Sequence, residues 1–377
     1  MNIRLLKYFD RLLGIIVRKL KRRKNSNIAS KPRKILIIKL SAMGDVLCLV
    51  PSIRALQSSF PDSRIEFLTT ERANPELFEG IPYLRSILLL PTNPALTIIF
   101  LIFRSWNFRA YDLIIDYDQY YRISELLAFF GRINVGFSAP LKGNSFLCSV
   151  KYSPEENEKI LFYKLTREAC SFYNKSIPDL DLEIPELLHR FTPSADLTQI
   201  VEATFSLRQT IVIYPGSSSN AKFRRWAWLN YEYLINQFLR EQIGVIIAGG
   251  PDELEFKPKL SSFGEHLHDW IGKWTLLEWA WIFRHHTKLF LGSDGGLYHL
   301  ADLLGVPTIS VFGPSSTQKW RSLHPQSKIL SMQLDCQPCI NSFLGQVPQT
   351  CWKGTSECLS RISPETVLAS ARTTMKL

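Results

Sequence analysis

The sequence predicts an α/β protein with two doubly wound parallel-sheet domains, preceded by a basic amphipathic helix. Strand-like apolar runs alternate with helical segments from Lys34 onward, which is typical of a mostly parallel sheet with helices on both faces. Residues 174–195 interrupt this pattern with three prolines and little periodicity, as expected of a linker, and the alternation then restarts. The length of 377 residues suits two such domains.

The first 34 residues hold the whole charge excess of the chain. Lys and Arg number 45 against 34 Asp and Glu, and residues 1–34 contain twelve of these bases but one acid, Asp10. Apolar side chains recur at helical spacing from Leu5 to Leu20, with bases roughly opposite and the basic cluster 21–24 behind them. We predict a helix that lies in an anionic membrane interface; a helix docked on the protein's own body or on a partner is the alternative. Because the rest of the chain is neutral, the charge does not predict a nucleic-acid partner.

The first half of the chain contains four predicted strands, at residues 35–40, 64–69, 87–90 and 112–116. Two helices are predicted between them, one that runs to about Ser59 and one that begins at about Pro94, and a third over residues 120–130 follows the last strand. The uncharged run Ser86–Phe103 contains Pro91 and Pro94, so it predicts a short strand and a helix rather than a membrane span. We expect the apolar residues 95–103 of that helix to form either core or an exposed patch.

The second half repeats the alternation of strands and helices. Strands are predicted at 210–214, 244–248, 288–292 and 308–312, and helices at about 228–242, 252–262, 275–285 and 296–304. The loops that follow parallel strands meet at one edge of a sheet, where open α/β sheets bind their ligands. Polar residues in these loops are therefore the candidate functional residues.

The turn after the first strand contains Ser41, Met43 and Gly44, and Asp45 follows at the predicted start of a helix. A carboxylate at this position lies where a ligand is expected, which makes Asp45 a candidate catalytic residue. The alternative is that Asp45 only caps the helix, because Asp is common at helix N-termini.

The strand at 210–214 runs into a small, hydroxyl-rich loop and then three cations. Ser217 and Ser218 are followed by Lys222 and Arg224, so backbone amides, hydroxyls and positive charge occur together, as phosphate binding requires. The Gly-Lys-Ser/Thr signature of a Walker A loop is absent. A solvated basic loop is the alternative.

The strand at 288–292 ends in a glycine-rich turn that opens a helix. Asp294 either caps that helix or accepts a hydrogen bond from a sugar hydroxyl, and His299 lies in the first turns. Gly295 and Gly296 allow an anion to approach the unpaired amides and the positive end of the helix dipole.

Four of the seven cysteines fall within 23 residues, at positions 336, 339, 351 and 358. The spacing resembles a zinc knuckle only in part. Reduced thiols, a structural metal site and a disulfide are all compatible with it.

In their order and spacing, these motifs resemble glycosyltransferase family 9, the ADP-heptose:lipopolysaccharide heptosyltransferases. The resembling segments run from Lys34 to about residue 370. They include Ile-Leu-Ile-Ile-Lys-Leu-Ser-Ala-Met-Gly-Asp-Val from residue 35, Tyr-Pro-Gly-Ser from residue 214, Ile-Gly-Lys from residue 271 and Ser-Asp-Gly-Gly-Leu-Tyr-His-Leu-Ala-Asp-Leu-Leu-Gly-Val-Pro from residue 293.

The resemblance implies a GT-B fold, in which two Rossmann-like domains face a cleft, with no obligatory metal and no cofactor. After the arm at residues 1–34, we expect an acceptor-binding domain at 35–190, a nucleotide-sugar-binding domain at 191–360 and a C-terminal helix in 361–377. The implied reaction is an inverting transfer of a sugar, heptose from an ADP-sugar above all, to a lipopolysaccharide core or related glycolipid. A transferase that uses a different nucleotide-hexose and an inactive membrane-surface binding protein are the alternatives.

The resemblance also implies roles for individual residues. Asp45 is similar to the proposed catalytic base of the family, with Ser41, Met43 and Gly44 on the acceptor side. Arg224 stands where the family has a phosphate-binding Lys, which replaces a point charge by a planar fork. The donor-binding Asp-x-Gly-x-x-His segment of the family falls on Asp294, Gly296 and His299, with Gly295 where the family has Ser or Thr; Ser217, Ser218 and Lys222 complete the donor set.

The expected place of such an enzyme is the cytoplasm, on the inner face of the cytoplasmic membrane. Its acceptor is an anionic glycolipid that lies in that membrane. The basic arm would then hold the enzyme on the leaflet in which the acceptor lies.

Overall fold

The computed structural model describes residues 31–139, 142–206, 209–217, 219–264, 266–341 and 346–376, and also Asp10, Gly14, Ile15, Val17 and Lys19. The rest of the N-terminal arm, and with it the predicted amphipathic helix as a whole, lies outside the described residues. The chain divides into two compact units, residues 1–181 (unit 1) and 182–377 (unit 2). Each unit has a parallel sheet with helices, which confirms the predicted α/β class.

Unit 1 contains a six-stranded parallel sheet in the order β3-β2-β1-β4-β5-β6. Its strands are β1 (Lys34–Ile38), β2 (Arg64–Thr69), β3 (Leu84–Leu89), β4 (Leu113–Asp116), β5 (Ile133–Ser138) and β6 (Cys148–Lys151). Its described α-helices are α1 (Met43–Ser59), α2 (Pro94–Arg104), α3 (Arg122–Ala128) and α4 (Glu158–Ser171), with 3₁₀ turns at Glu71–Ala73, Pro75–Phe78 and Ser105–Ala110. The strand order reverses between β1 and β4, so the loops after these two strands flank the ligand-binding edge of the sheet.

The elements β5, β6 and α4 are missing from the sequence-based prediction. β5 breaks its apolar run with Asn134 and Gly136, so it does not look like a buried strand. In the structure, the buried Asn134 side chain pairs with the backbone of Ser145 and Leu147 at 3.2 and 2.9 Å. A Cβ at Gly136 would lie 2.3 Å from the Phe146 ring. Tertiary contacts therefore select these two residues.

Unit 2 contains a second six-stranded parallel sheet, in the order β12-β11-β10-β7-β8-β9. Its strands are β7 (Thr210–Tyr214), β8 (Gly244–Ile247), β9 (Leu267–Asp269), β10 (Phe290–Ser293), β11 (Thr308–Phe312) and β12 (Lys328–Ser331). Its described α-helices are α5 (Ala195–Ser206), α6 (Trp228–Arg240), α7 (Leu276–His285), α8 (Gly296–Leu303), α9 (Thr317–Trp320), α10 (Glu357–Ser360) and α11 (Pro364–Met375). The strand order reverses between β7 and β10, which brings their loops together.

Two predicted features of unit 2 differ from the structure. The helix expected at 252–262 is a run of 3₁₀ turns over Pro251–Lys259, in which Pro258 cannot donate a backbone hydrogen bond. The break between the units follows Asp181, whereas the sequence suggested residue 190. Ile184 explains the difference, because it is fully buried and its amide donates to the Leu303 carbonyl at 2.9 Å.

The described part of the arm contacts the rest of unit 1. Asp10 is buried, and its Oδ1 accepts hydrogen bonds from the Arg122 and Ile123 amides at 2.8 and 3.0 Å. Its Oδ2 lies 3.0 Å from the Arg122 guanidinium. The single acid of the arm thus caps the N-terminus of α3, and Val17 is buried as well.

Candidate active site

Asp45 lies in the first turn of α1, at the carboxyl end of β1. Its Oδ2 accepts a hydrogen bond from the Ala42 amide at 3.4 Å, which is a capping contact. Its Oδ1 lies 3.3 Å from Lys39 Nζ and accepts from Gln119 Nε2 at 3.4 Å. Asp45 therefore makes the predicted capping contact and also joins a polar network through its other carboxylate oxygen.

The network behind Asp45 is buried. Lys39 Nζ donates to Gln119 Oε1 at 3.1 Å and lies 3.9 Å from Asp118 Oδ2, and Gln119 Nε2 donates to Glu158 Oε1 at 3.1 Å. The side chains of Lys39 and Asp118 are 2% and 1% exposed, whereas that of Asp45 is 23% exposed. Of these three side chains, that of Asp45 is therefore the most exposed to solvent.

Burial and mutual charge determine the protonation of the network. Burial opposes the ammonium form of Lys39, but the nearby carboxylates of Asp45, Asp118 and Glu158 outweigh it and raise the Lys39 pKa. Burial raises the pKa of Glu158 well above its usual range, and the charge of Asp45 raises it further. Burial also opposes the ionised form of Asp118, but the ammonium groups of Lys39 and Lys142 lower its pKa. The network thus favours the ammonium form of Lys39 and opposes ionisation of Glu158.

The predicted acceptor-side residues lie in the same turn. The Ser41 carbonyl accepts a hydrogen bond from Lys39 Nζ at 2.6 Å, and Met43 and Gly44 are the first two residues of α1. A cavity of about 20 Å³ lies beside Ser41. Its walls come from Asp10, the turn after β1, the segment after β2, the β3–α2 connection, α2 and the start of α3. They are Asp10, Leu40, Ser41, Thr70, Arg72, Leu90, Pro91, Thr92, Thr97, Tyr121 and Ile123.

In unit 2, the structure brings together Arg224, Asp294 and His299. The Arg224 guanidinium lies 3.0 Å from Asp294 Oδ2, and His299 Nε2 lies 3.8 Å from Asp294 Oδ1. Arg224 Nε donates to no acceptor among the described residues, so the guanidinium retains hydrogen-bonding capacity. Gly295 and Gly296 begin α8 directly after Asp294, and the dipole of this helix favours an anion at the same place.

The loop after β7 is held by Arg225 and Glu253, which the sequence did not single out. The Arg225 guanidinium donates to the Ser217 carbonyl at 2.8 Å and lies 3.3 Å from Glu253 Oε1. A Cβ at Gly216 would lie 2.2 Å from Glu253 Oε1, so a glycine is needed there. The neighbouring Ser217 is fully buried. These contacts fix the backbone of the loop from below.

Lys222 and Ser218 are the two remaining residues predicted on the donor side. Lys222 is exposed and pairs with Glu255 at 2.8 Å, so its ammonium lies at the surface of unit 2. Ser218 lies outside the described residues.

The ring of Tyr214 occupies the space beside Gly295. A Cβ at position 295 would lie 2.8 Å from Tyr214 Cε1 and 3.3 Å from its hydroxyl oxygen. The buried Tyr214 hydroxyl donates to Glu253 Oε1 at 3.4 Å. A phenolic hydroxyl therefore stands close to the position from which a Ser or Thr side chain at 295 would project.

The four clustered cysteines line one small cavity of unit 2, with Phe223 and Trp352 among its other walls. All four are in the thiol form. Burial raises the pKa of Cys358 to about 11, and the neighbouring thiols contribute. Among the described residues, no group of His, Cys, Asp or Glu is arranged to hold a metal ion.

The residues that the prediction missed are Lys39, Gln119, Glu158, Arg225 and Glu253. Lys39 and Arg225 lie within the motifs after β1 and β7, but the prediction named only their neighbours as functional residues. Gln119 and Glu158 stand far from Asp45 in sequence, at the end of the β4 loop and the start of α4. No spacing rule links such positions, so they emerge only from the fold.

The chain is similar to known proteins in sequence and in fold. The profile of glycosyltransferase family 9 (heptosyltransferase) matches residues 100–344. Lipopolysaccharide heptosyltransferase 1 from Campylobacter coli is 26% identical over 306 residues, which cover 76% of this chain and 85% of that protein.

Two solved structures resemble the whole architecture. A glycosyltransferase family 9 protein from Veillonella parvula has a TM-score of 0.72 and 18% identity, over 94% of this chain and 99% of that one. The E. coli heptosyltransferase WaaC with ADP-2-deoxy-2-fluoro heptose has a TM-score of 0.66 and 15% identity, over 91% of this chain and 100% of that one. These likenesses confirm the predicted fold class.

Proposed function

Since the chain belongs to glycosyltransferase family 9, the heptosyltransferase family, we propose that it transfers heptose from ADP-heptose to a lipopolysaccharide core or a related glycolipid. The C. coli relative is a lipopolysaccharide heptosyltransferase, which supports the acceptor class. The E. coli neighbour was solved with an ADP-heptose analogue, which supports the donor. The observation that carries the proposal is the partly exposed Asp45 carboxylate at the end of a buried charge network.

On the acceptor side, Asp45 is the general base. A sugar hydroxyl of the acceptor donates a hydrogen bond to this carboxylate and loses its proton to it as the oxygen attacks the anomeric carbon. Lys39 and Gln119 both contact Oδ1, so they fix the orientation of the carboxylate before the acceptor arrives. Attack from the face opposite the leaving group inverts the anomeric configuration.

On the donor side, the leaving group is a nucleoside diphosphate whose negative charge grows as the glycosidic bond breaks. Arg224 and the N-terminus of α8 offer positive charge and N–H donors for it, and Lys222 adds a cation at the surface. Ser217, Ser218, Asp294 and His299 complete the proposed donor site. We assign the stabilisation of this charge to the protein's own cations, so that the proposed transfer is independent of a metal.

The arm is proposed to bring the enzyme to the cytoplasmic face of the membrane. Twelve bases and one acid in residues 1–34 attract an anionic leaflet. That one acid, Asp10, is buried as the cap of α3 and is paired with Arg122.

The proposed function is tested with a panel of donors and a purified deep-core lipopolysaccharide acceptor. We expect product, detected by mass spectrometry, with ADP-heptose and none with UDP- or GDP-hexoses. Turnover of a nucleotide-hexose instead would identify the first alternative. Vesicle binding without any turnover would identify an inactive membrane-surface protein.

Arg224→Ala is expected to weaken ADP binding by about 1.5–3 kcal/mol, the range for a hydrogen bond to a charged group. Isothermal titration calorimetry measures the change, and Arg224→Lys should recover part of it because the charge is kept but the fork is lost. Arg361→Ala is the matched control, since Arg361 is an exposed arginine of unit 2 that pairs with Glu357. Unaltered ADP affinity in Arg224→Ala would remove Arg224 from the donor site.

A further inference from the structure

The helix α2 of unit 1 turns large apolar side chains towards solvent. Of the eleven exposed large hydrophobic residues among those described, seven fall between residues 89 and 106. We call six of them, five on α2 and one in the 3₁₀ turn that follows it, the α2 apolar face; they are Leu96, Ile98, Ile99, Ile102, Phe103 and Trp106. Exposed apolar residues scattered singly are ordinary, but a contiguous cluster marks an interaction surface.

The opposite side of α2 packs against the core of unit 1. Thr97 is fully buried, and its hydroxyl donates to the Pro91 and Asn93 carbonyls at 2.7 and 2.8 Å. Phe100 and Leu101 pack against the core of unit 1. The helix is therefore packed on the domain along one side. The exposure of its apolar face does not arise because the helix has separated from the domain.

The charges around this face complement an anionic lipid surface. Residues 80–111 contain no acidic residue, and their three charges are the exposed Arg85, Arg104 and Arg109. The Arg109 guanidinium lies 3.3 Å from the centroid of the Trp106 ring. Trp and Arg each combine an apolar body with a polar tip, which suits the boundary between lipid headgroups and acyl chains.

The length of α2 favours a position along the membrane surface. No described helix is both long and apolar enough to cross a bilayer. The eleven residues of α2 span about 16 Å, so the helix would lie in the interface with its apolar face towards the acyl chains.

The same segment forms part of the proposed acceptor side. Thr97 and the β3–α2 connection (Leu90–Thr92) line the cavity beside Ser41. A face inserted in the bilayer would therefore hold the Ser41 turn close to the surface from which a glycolipid presents its sugars.

From the exposed face, the arginines and the shared cavity wall, we infer that the α2 apolar face inserts into the anionic leaflet that contains the acceptor. This insertion is a second membrane contact beside the basic arm, and it rests on the glycolipid transfer proposed above. It positions unit 1 over its lipid substrate, whereas the arm supplies long-range attraction.

The test compares full-length wild type with Ile102→Glu/Phe103→Glu by co-sedimentation with vesicles of phosphatidylethanolamine and phosphatidylglycerol. Both side chains are exposed, so the folded state should tolerate the change. We expect vesicle binding to weaken about tenfold or more, because two inserted apolar groups become charged. Leu229→Glu is the matched control: it makes the same kind of change at an isolated exposed residue of unit 2 and should bind as wild type does.

High salt separates the two contacts, since it screens the arm but not the insertion. In high salt, wild type should retain vesicle binding that the double variant lacks. Equal binding by the two proteins would overturn the inference, as would a wild-type dimer that the double substitution converts to a monomer. Transfer to a soluble acceptor analogue is measured in parallel and should be equal in both proteins; its absence from wild type would reject the proposed function while leaving the vesicle result intact.

Discussion

Asp45→Asn should abolish most of the transfer activity, with kcat lowered about 10²- to 10⁴-fold, the usual contribution of a general base. The amide keeps the size of the carboxylate and an oxygen to accept from Lys39, but it cannot take the proton of the acceptor hydroxyl. The residues proposed to bind the donor belong to unit 2, so the affinity for ADP should be unchanged. Steady-state kinetics with ADP-heptose and calorimetry with ADP measure the two quantities.

Asp62→Asn is the control for this experiment. Asp62 is an exposed carboxylate of unit 1 that pairs with Lys31 at the surface, so its loss should leave kcat at the wild-type value. If Asp45→Asn transferred heptose at nearly the wild-type rate, Asp45 would not be the base, and its capping contact with Ala42 would be its whole role.

Lys39→Met is expected to destabilise the protein by about 3–5 kcal/mol, the range for removing one partner of a buried ion pair. The ammonium is almost completely buried and lies next to Asp45 and Asp118. Without this ammonium group, the buried Asp118 carboxylate keeps only Lys142 of the two cations that lower its pKa. Urea unfolding measures the free-energy change, and kcat should fall as well because Asp45 loses one of the two groups that orient it.

Glu158→Gln removes a buried acid of the same network and should have the opposite outcome. The folded-state pKa of Glu158 lies above that of the unfolded chain, so the folded protein binds one more proton between the two values. The stability that this proton contributes is present in acid and is lost as the pH rises from about 4.3 towards the raised pKa. Gln mimics the protonated form, so the variant should match or exceed wild type at neutral pH and show a flatter dependence of Tm on pH. A loss at neutral pH as large as that of Lys39→Met would mean that Glu158 is ionised.

The predictable parts of the fold are those in which local pattern and tertiary role agree. β2, β7 and β11 match their predicted limits because each is a short strand-like segment between turn signals, alternating at the start of β2 and apolar in β7 and β11. The edge strands β9 and β12 escaped prediction because half-buried edges tolerate polar residues such as His268 and Lys328. In these strands the backbone ladder, rather than the apolar pattern, defines the element.

The candidate site was predictable where chemistry follows directly after a strand. Asp294 lies directly after β10 and Asp45 lies in the helical turn that follows β1, so topology alone places them at the reversal points of the two sheets. The sequence did not predict which contacts each of the three cations in the loop after β7 makes. Arg224 meets Asp294, Arg225 braces the loop and Lys222 faces solvent, and only the packing of Glu253 and Glu255 against the loop distinguishes them.

The contact between Tyr214 and Gly295 also limits how this protein can change. The ring fills the space that a side chain at position 295 would need. A mutational path that restores a hydroxyl residue at 295 must therefore pass through a smaller residue at 214, and the reverse order creates a clash. The residues at 214 and 295 are therefore sterically coupled, so a side chain at 295 requires a smaller one at 214.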